Sequence, residues 1–221
     1  KAIKYDVKYP VSSALLRSVA FVYTMHPEAY PEYAEALRLI HNWDRSTDKQ
    51  SLGATIVLPT LMRIFELHQG GSYELERGME ITKEEFLVAL AKTQKSLKKH
   101  YGTIRVPWGE YQRHRRGGVD LAMAGGPDVV AAMYSSKRKD GTWAPHTGES
   151  YIQLVRYDST GCEYVGTINA FGSSHNPDSP HYTDQMEAWS YQQLKPMTFD
   201  KKEIYRKAEA VYHPGQDWEP L

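Results

Sequence analysis

The 221 residues include a single cysteine, Cys162, and no net charge, with 27 Lys and Arg against 27 Asp and Glu. No apolar run approaches the roughly 18 uninterrupted residues of a membrane-spanning helix. One thiol excludes an internal disulfide framework and most cysteine-based metal sites, but leaves the compartment open, and Cys162 itself reads as a small buried hydrophobe. Balanced charge provides no overall field toward nucleic acid or an anionic membrane surface. Internal repeats, low-complexity tracts and separating linkers are also missing, which predicts one unit over 1–221. The N-terminus lacks the basic-then-apolar layout of a secretory signal and starts with Lys1, so the chain is expected to be a processed or truncated piece, any signal lying upstream.

Aromatics are plentiful, with 16 Tyr and five Trp, enough to bury large area or line an acyl pocket. Tyr30, Tyr33, Leu37 and Ile40 recur at helical spacing after Pro31 and predict an amphipathic helix ending near Asn42-Trp43-Asp44. Ser51 reads as the cap of a second helix that is apolar on several sides, from Leu52 to Phe65, with a kink at Pro59 and an end at Gly70-Gly71. Thr82-Lys83-Glu84-Glu85 has the pattern of a capping box opening a third helix, whose inner face is Phe86, Leu87, Leu90, Ala91 and Leu97.

From Gly102 to about Gly148 the helical period is lost, and this stretch reads as irregular loops too long to be idle connection. Tyr151–Tyr157 and Cys162–Phe171 alternate as strands about the turn Asp158-Ser159-Thr160-Gly161, which predicts an antiparallel hairpin. Ser179 and Pro180 read as the cap and first turn of a fourth helix striped by Tyr182, Met186 and Trp189 and stopped at Lys195-Pro196. The tail from Asp200 is expected to be helical.

Several segments form a conjunction: Trp43-Asp44 with Asp48 and Ser51-Leu52-Gly53-Ala54, Pro107-Trp108-Gly109 with Arg113, Gly125-Gly126-Pro127-Asp128, Gly148-Glu149-Ser150-Tyr151, Ser179-Pro180-His181-Tyr182-Thr183-Asp184-Gln185, and Lys195-Pro196-Met197-Thr198-Phe199. In order and spacing they resemble the C-terminal part of the penicillin acylase family, amide hydrolases of the N-terminal-nucleophile class, nearest its acyl-homoserine-lactone and aculeacin-type branch. The family has Trp-Asp-Gly where this chain has Trp43-Asp44-Arg45. The resemblance implies an α+β fold, part of an αββα sandwich to which this chain would supply outer helices and a hairpin.

It also implies hydrolysis of an N-acyl amide through an acyl-enzyme. Acyl-homoserine lactones come first as substrate, with β-lactam or lipopeptide amides second. The nucleophile of that class is the first residue of a processed chain, Ser, Thr or Cys, whereas position 1 here is Lys1. Nucleophile and oxyanion Asn fall upstream, so no catalytic residue is carried onto this chain, its substrate-binding residues stay unassigned, and no cofactor or metal is implied. The expected partners are the remaining segments of the same precursor, the isolated chain is expected to be inactive, and the enzyme is expected to be periplasmic or secreted.

Other readings follow from the residues alone. His181 and Asp184 could form a catalytic orienting pair, or serve as caps and buried hydrogen-bonders at a helix start. His175, Asp178, His181 and Asp184 recur every three residues like metal ligands, but Pro177 and Pro180 break any helix that would align them. Arg113-His114-Arg115-Arg116-Gly117-Gly118 is a dense basic cluster lacking a nucleic-acid motif around it, with Arg113 expected to pair with an acid of the assembly. Gly125-Gly126-Pro127-Asp128 lacks the Lys and Ser/Thr of a phosphate loop and reads as a tight turn. Two alternatives to the acylase are a non-enzymatic module on a degenerate scaffold and a metal-dependent hydrolase using the nine histidines.

Overall fold

Ser51 stands where the chain leaves an extended conformation, and its hydroxyl accepts the Ala54 N–H at 3.2 Å, capping a 16-residue helix. This is α3 of a computed structural model that describes residues 3–68, 80–208, 210, 211, 213 and 215. The preceding helices are α1 (Ala14–Arg17) and α2 (Ala34–His41), and α3 spans Leu52–Leu67. Short 3-10 turns cover Ile3–Tyr5, Ala20–Thr24 and Pro27–Ala29. The expected stop at Gly70-Gly71 and the side chain of Cys162 lie outside the described residues. α3 continues through Pro59 as one helix and buries eleven of its residues.

The capping box forms as the residues predict. Thr82 Oγ1 accepts the Glu85 N–H, and the Glu85 carboxylate accepts the Thr82 N–H, opening α4 (Lys83–Tyr101). Gly102, at φ +73°, closes it in the left-handed region. Leu87 and Ala91 are only partly covered, and the buried face of α4 is Phe86, Ala89, Leu90, Thr93, Gln94 and Leu97. α4 packs on α3, and α3 on α2, around the larger core.

The stretch after Gly102 differs from the expectation of irregular loops. Following the single turn α5 (Trp108–Tyr111), it holds two antiparallel hairpins. β1 (Arg113–Arg116) pairs with β2 (Val119–Ala122) about Gly117-Gly118, and β3 (Met133–Lys137) pairs with β4 (Trp143–Gly148) about a turn with Gly141 at φ +90°. Their strands are short, charged or bulged, so the period-2 apolar alternation that marks a strand is absent from their sequence.

The hairpin expected at Asp158–Gly161 is present as β5 (Tyr151–Asp158) and β6 (Gly161–Asn169). The Asp158 carboxylate accepts the Thr160 and Gly161 N–H groups, and Gly161 takes φ +134°. Lys195-Pro196 is more than a stop, because β7 (Lys195–Met197) adds to β6 as a third strand. The fourth helix starts later than predicted. α6 spans only Met186–Ser190, and Ser179–Asp184 forms turns. There the His181 carbonyl accepts the Ser174 N–H and the Gln185 N–H donates to Phe171, so the bond that would begin a helix is replaced on both sides by tertiary ones. The helical tail is α7 (Lys201–Lys207), capped by Asp200. Under the three-stranded sheet, Met123, Met133, Ile152, Ile168, Ala170 and Trp189 form a second, smaller core.

Where the family pattern has glycine, Arg45 adopts φ +68°. A side chain in the left-handed region costs roughly 1–2 kcal/mol, partly offset by the extra freedom glycine gives the unfolded chain. Arg45→Gly is therefore expected to stabilise by about 0.5–1 kcal/mol, read as a rise in the urea midpoint at unchanged slope. A fall would show that Arg45 makes a compensating contact.

Candidate functional site

Three of the motifs singled out in the sequence, those around Trp43, Trp108 and Gly125, meet in one hydrogen-bonded hub. Trp43 stacks its indole under the first turn of α3, where a Cβ on Gly53 would stand 2.3 Å from the Trp43 side chain, and Trp43 Nε1 donates to the Ser46 carbonyl at 2.7 Å. The following loop is stitched to the N-terminal segment: Tyr9 N–H donates to Arg45 O, and Thr47 N–H donates to Val7 O. Lys49 and Ser51 present carbonyls to the Gly109 and Trp108 N–H groups, each at 2.9 Å. Gly109 is glycine because an added Cβ would come within 2.9 Å of both Ala122 and Lys49.

Gly125 closes the hub. Its N–H donates to Thr47 O, and its carbonyl accepts Trp108 Nε1 at 2.9 Å and Gln112 Nε2 at 3.0 Å. Trp108 is fully buried and packs against Tyr111 and Trp143. One turn further on, Pro127 O accepts the Tyr9 hydroxyl at 2.5 Å. These bonds hold four chain segments together.

Beside the hub lies a cleft of about 770 Å³. Its apolar floor is Leu15, Met62, Phe65 and Trp143, and its rim carries Ser12, Ser13, Arg17, Asp128, Tyr134 and His146. Asp128, at φ +60°, accepts the Ser13 hydroxyl at 3.2 Å. The cleft can enclose an apolar group of small-molecule size. Among the described residues its polar groups do not form a nucleophile and base: Ser13 is bound directly to a carboxylate, and the hydrogen bond His146 makes is to the adjacent, exposed Thr147, at 2.9 Å. The residues of this cleft come from four distant stretches, and those on β3 and β4 fell in the region read as loop. Asp128 was singled out only as a turn residue; its positive φ and its partner Ser13 leave no local trace in the sequence.

His181 and Asp184 do pair, Nδ1 to Oδ2 at 2.9 Å, but on the surface, His181 being half exposed, and outside the cleft. Their block is anchored by the backbone: a Cβ on Gly172 would stand 2.1 Å from the His181 carbonyl. Among the described residues no group of three or more His, Cys, Asp or Glu is arranged to hold a metal ion.

The basic cluster is consumed inside the chain. Arg113 and Arg115 both bind Asp120, Arg115 also binds Asp140, and Arg116 lies between the Tyr182 and Phe171 rings, 4.0 and 4.8 Å from their centres. Arg113 thus meets its acid within this chain rather than on another segment. Burial pushes the Asp120 carboxyl up, and the hydrogen bonds and charges of Arg115 and Arg113 outweigh it, holding the group below its ordinary value. His114 is buried, and its Nε2 donates to the Ala170 carbonyl at 2.5 Å; burial lowers its pKa more than that bond raises it. Lys49, pulled below its ordinary pKa by burial, clamps the hub to α6 through the Ser190 carbonyl and hydroxyl at 2.6 and 2.8 Å.

The aromatic side of the hub has a pH signature. Burial raises the hydroxyls of Tyr9 and Tyr111 well above the usual tyrosine value and pushes Tyr101 up to about 12, with the Asp140 charge adding to it. The folded state keeps these protons where unfolded tyrosines lose theirs near pH 10. The resulting stabilisation is complete below that pH and is lost as pH rises toward the folded values. Unfolding free energy is expected to hold to about pH 10 and fall beyond it, with a shallower fall in Tyr101→Phe, as urea titrations at stepped pH would read. An equal slope in the variant would remove Tyr101 from the account.

The model of the penicillin amidase family matches residues 1–206. The acyl-homoserine lactone acylase PvdQ of Pseudomonas syringae pv. syringae is 36% identical over 108 residues, which are 48% of this chain and 14% of that protein. Its counterpart in Pseudomonas fluorescens is 32% identical over 143 residues, 62% of this chain and 18% of that protein. The chain therefore matches well under a quarter of the length of these relatives. A thermostable penicillin G acylase from Alcaligenes faecalis superposes with a TM-score of 0.41 at 12% identity, over 97% of this chain and 48% of that one. With its helices, antiparallel sheets and motif hub, and with the family match running from residue 1 to residue 206, the chain belongs to the penicillin amidase family.

Proposed function

We propose that this chain is the C-terminal scaffold of an acylase that hydrolyses the amide bond of an N-acyl substrate through an acyl-enzyme, the nucleophile lying outside these 221 residues. The single observation that carries the reading is the family match over residues 1–206. It is consistent with the hub, where the Trp108 indole and the Gln112 amide bind the Gly125 carbonyl and hold the family-like motifs together. The substrate class is acyl-homoserine lactones first, after the relatives named for that activity, with β-lactam or lipopeptide amides second. The remaining segments of the precursor are its partners, and the assembled enzyme is periplasmic or secreted.

The test is intact-mass analysis and N-terminal sequencing of what purifies with Lys1 from the native source, followed by an assay of acyl-homoserine lactone hydrolysis. A companion segment beginning with Ser, Thr or Cys, and hydrolysis indifferent to chelator, are the expected results. Hydrolysis by the 221-residue chain alone that a chelator abolishes would replace this reading with a metal-dependent hydrolase. A solitary chain without activity would leave a binding module.

A further inference from the structure

The zero net charge of the chain conceals a local imbalance. The outer side of α4 carries Lys92, Lys95, Lys98 and Lys99, all exposed, and among the described residues none of them has a carboxylate partner. A second segment brings more. The end of β3 and the turn after it carry Lys137, Arg138 and Lys139, also exposed and without an acid partner among the described residues, while the acid of that turn, Asp140, is taken by Arg115. Two contacts hold this segment against α4. Lys137 Nζ donates to Ser96 Oγ at 2.9 Å, and Gly141 lies so close to His100 that an added Cβ would stand 2.3 Å from its ring.

Like charges crowd at this face. Lys137 is held below its ordinary pKa by partial burial first and then by the charges of Arg63 and Lys99, with Glu66 opposing them, so Arg63 belongs to the same face. The other acid here is Glu32, which flanks an open groove of about 580 Å³ together with Lys95, Lys98 and Lys99. Two acids leave most of the eight cations uncompensated. The acids of α4 itself, Glu84 and Glu85, sit in its first turn, at the far end of the helix. Lys98, Lys99 and His100 also complement the C-terminal end of the helix dipole. That role accounts neither for Lys92 and Lys95 nor for the three cations that β3 and its turn bring to them.

We propose that this basic face, whatever reaction the assembled protein performs, docks on an anionic phospholipid surface. Charge complementarity selects the sign of the partner, and the layout of the cations selects its form. Lys92, Lys95 and Lys99 follow one stripe of α4 over about 10 Å, at 1.5 Å per residue. Lys137, anchored at Ser96, begins a second row beside it. Charges set out in rows do not converge on a single phosphate, and lysines, as flexible point charges, suit headgroups that move. Val88, 53% exposed, opens the same stripe. An apolar side chain has a place in a headgroup layer and none along a nucleic-acid backbone.

Co-sedimentation with vesicles of the assembly that purifies with this chain tests the face, equal parts of phosphatidylglycerol and phosphatidylcholine being set against phosphatidylcholine alone. Binding to the anionic vesicles is expected, with release at about 1 M salt, where screening shortens to about 3 Å. Lys92→Gln, Lys95→Gln and Lys137→Gln combined are expected to weaken it about a hundredfold, at roughly fivefold per cation. Lys195→Gln, Lys201→Gln and Lys202→Gln remove the same charge from exposed positions on β7 and α7, and are expected to leave most of the binding in place. Equal affinity for the two kinds of vesicle, or an equal loss in the two triple variants, would overturn the proposal. So would an assembly that binds neither vesicle, its Lys95 and Lys99 cross-linking to another segment that covers the face. Duplex DNA held more tightly than the anionic vesicles, and lost only in the first variant, would make this a nucleic-acid face and overturn the lipid.

Discussion

Replacing Trp108 by alanine is expected to lower the unfolding free energy by roughly 3–5 kcal/mol, the range for removing a large buried aromatic. The ring has no exposed surface and is enclosed by Tyr111 and Trp143, so neighbours that are themselves packed have little room to collapse into the space. The indole N–H is a smaller part of the loss. Its acceptor, the Gly125 carbonyl, keeps the Gln112 donor at 3.0 Å, so no buried carbonyl is orphaned. Trp108→Phe, which retains most of the volume, is expected to cost about 1–2 kcal/mol. Chemical denaturation reads both values. In the assembled protein, substrate ranking should stay unchanged, since Trp108 is absent from the cleft wall. A changed ranking at wild-type stability would place the ring in a binding site instead.

The elements that were legible from the residues are those written in local code. Ser51 and the Thr82–Glu85 box cap helices through side-chain bonds made within three residues, and Asp158–Gly161 turns a hairpin through the Asp158 carboxylate. What was illegible depends on partners far away in sequence. β1 reads Arg-His-Arg-Arg, and it is a strand because Asp120 and Asp140 neutralise Arg113 and Arg115, Arg116 lies between two aromatic rings, and His114 is buried against Phe171. Ser179–Asp184 carries the letters of a helix start, yet the carbonyl of His181 and the N–H of Gln185 are taken by Ser174 and Phe171. Tertiary bonds override propensity there.

The family motifs could be recognised in order and spacing, but their meaning could not. Only the structure makes Trp43, Trp108 and Gly125 one hub instead of three sites. The left-handed conformation of Arg45 follows the same rule. The residue type argues against it, and the fold imposes it through the Tyr9 N–H bond to the Arg45 carbonyl and the Asp44 carboxylate bond to the Ser46 N–H.

Gly125→Ala is expected to cost roughly 3 kcal/mol, the sum of backbone strain and collision. Gly125 sits at φ +94°, a conformation side chains rarely adopt, and a Cβ there would stand 2.5 Å from the Ala131 carbonyl oxygen. Relaxation is blocked from both directions, because the N–H is bonded to Thr47 and the C=O to both Trp108 and Gln112. Moving away from Ala131 therefore means breaking hub bonds. Two other glycines separate the contributions. Gly102 also has positive φ but open space around it, so Gly102→Ala should show strain alone, about 1 kcal/mol. Gly118 has neither constraint, and Gly118→Ala should be close to neutral. Urea denaturation of the three variants ranks them 125, 102, 118. If Gly125→Ala cost no more than Gly102→Ala, the loop would be yielding, and the Pro127-Asp128 wall of the cleft would be a deformable surface instead of the rigid one that three hydrogen bonds at Gly125 imply.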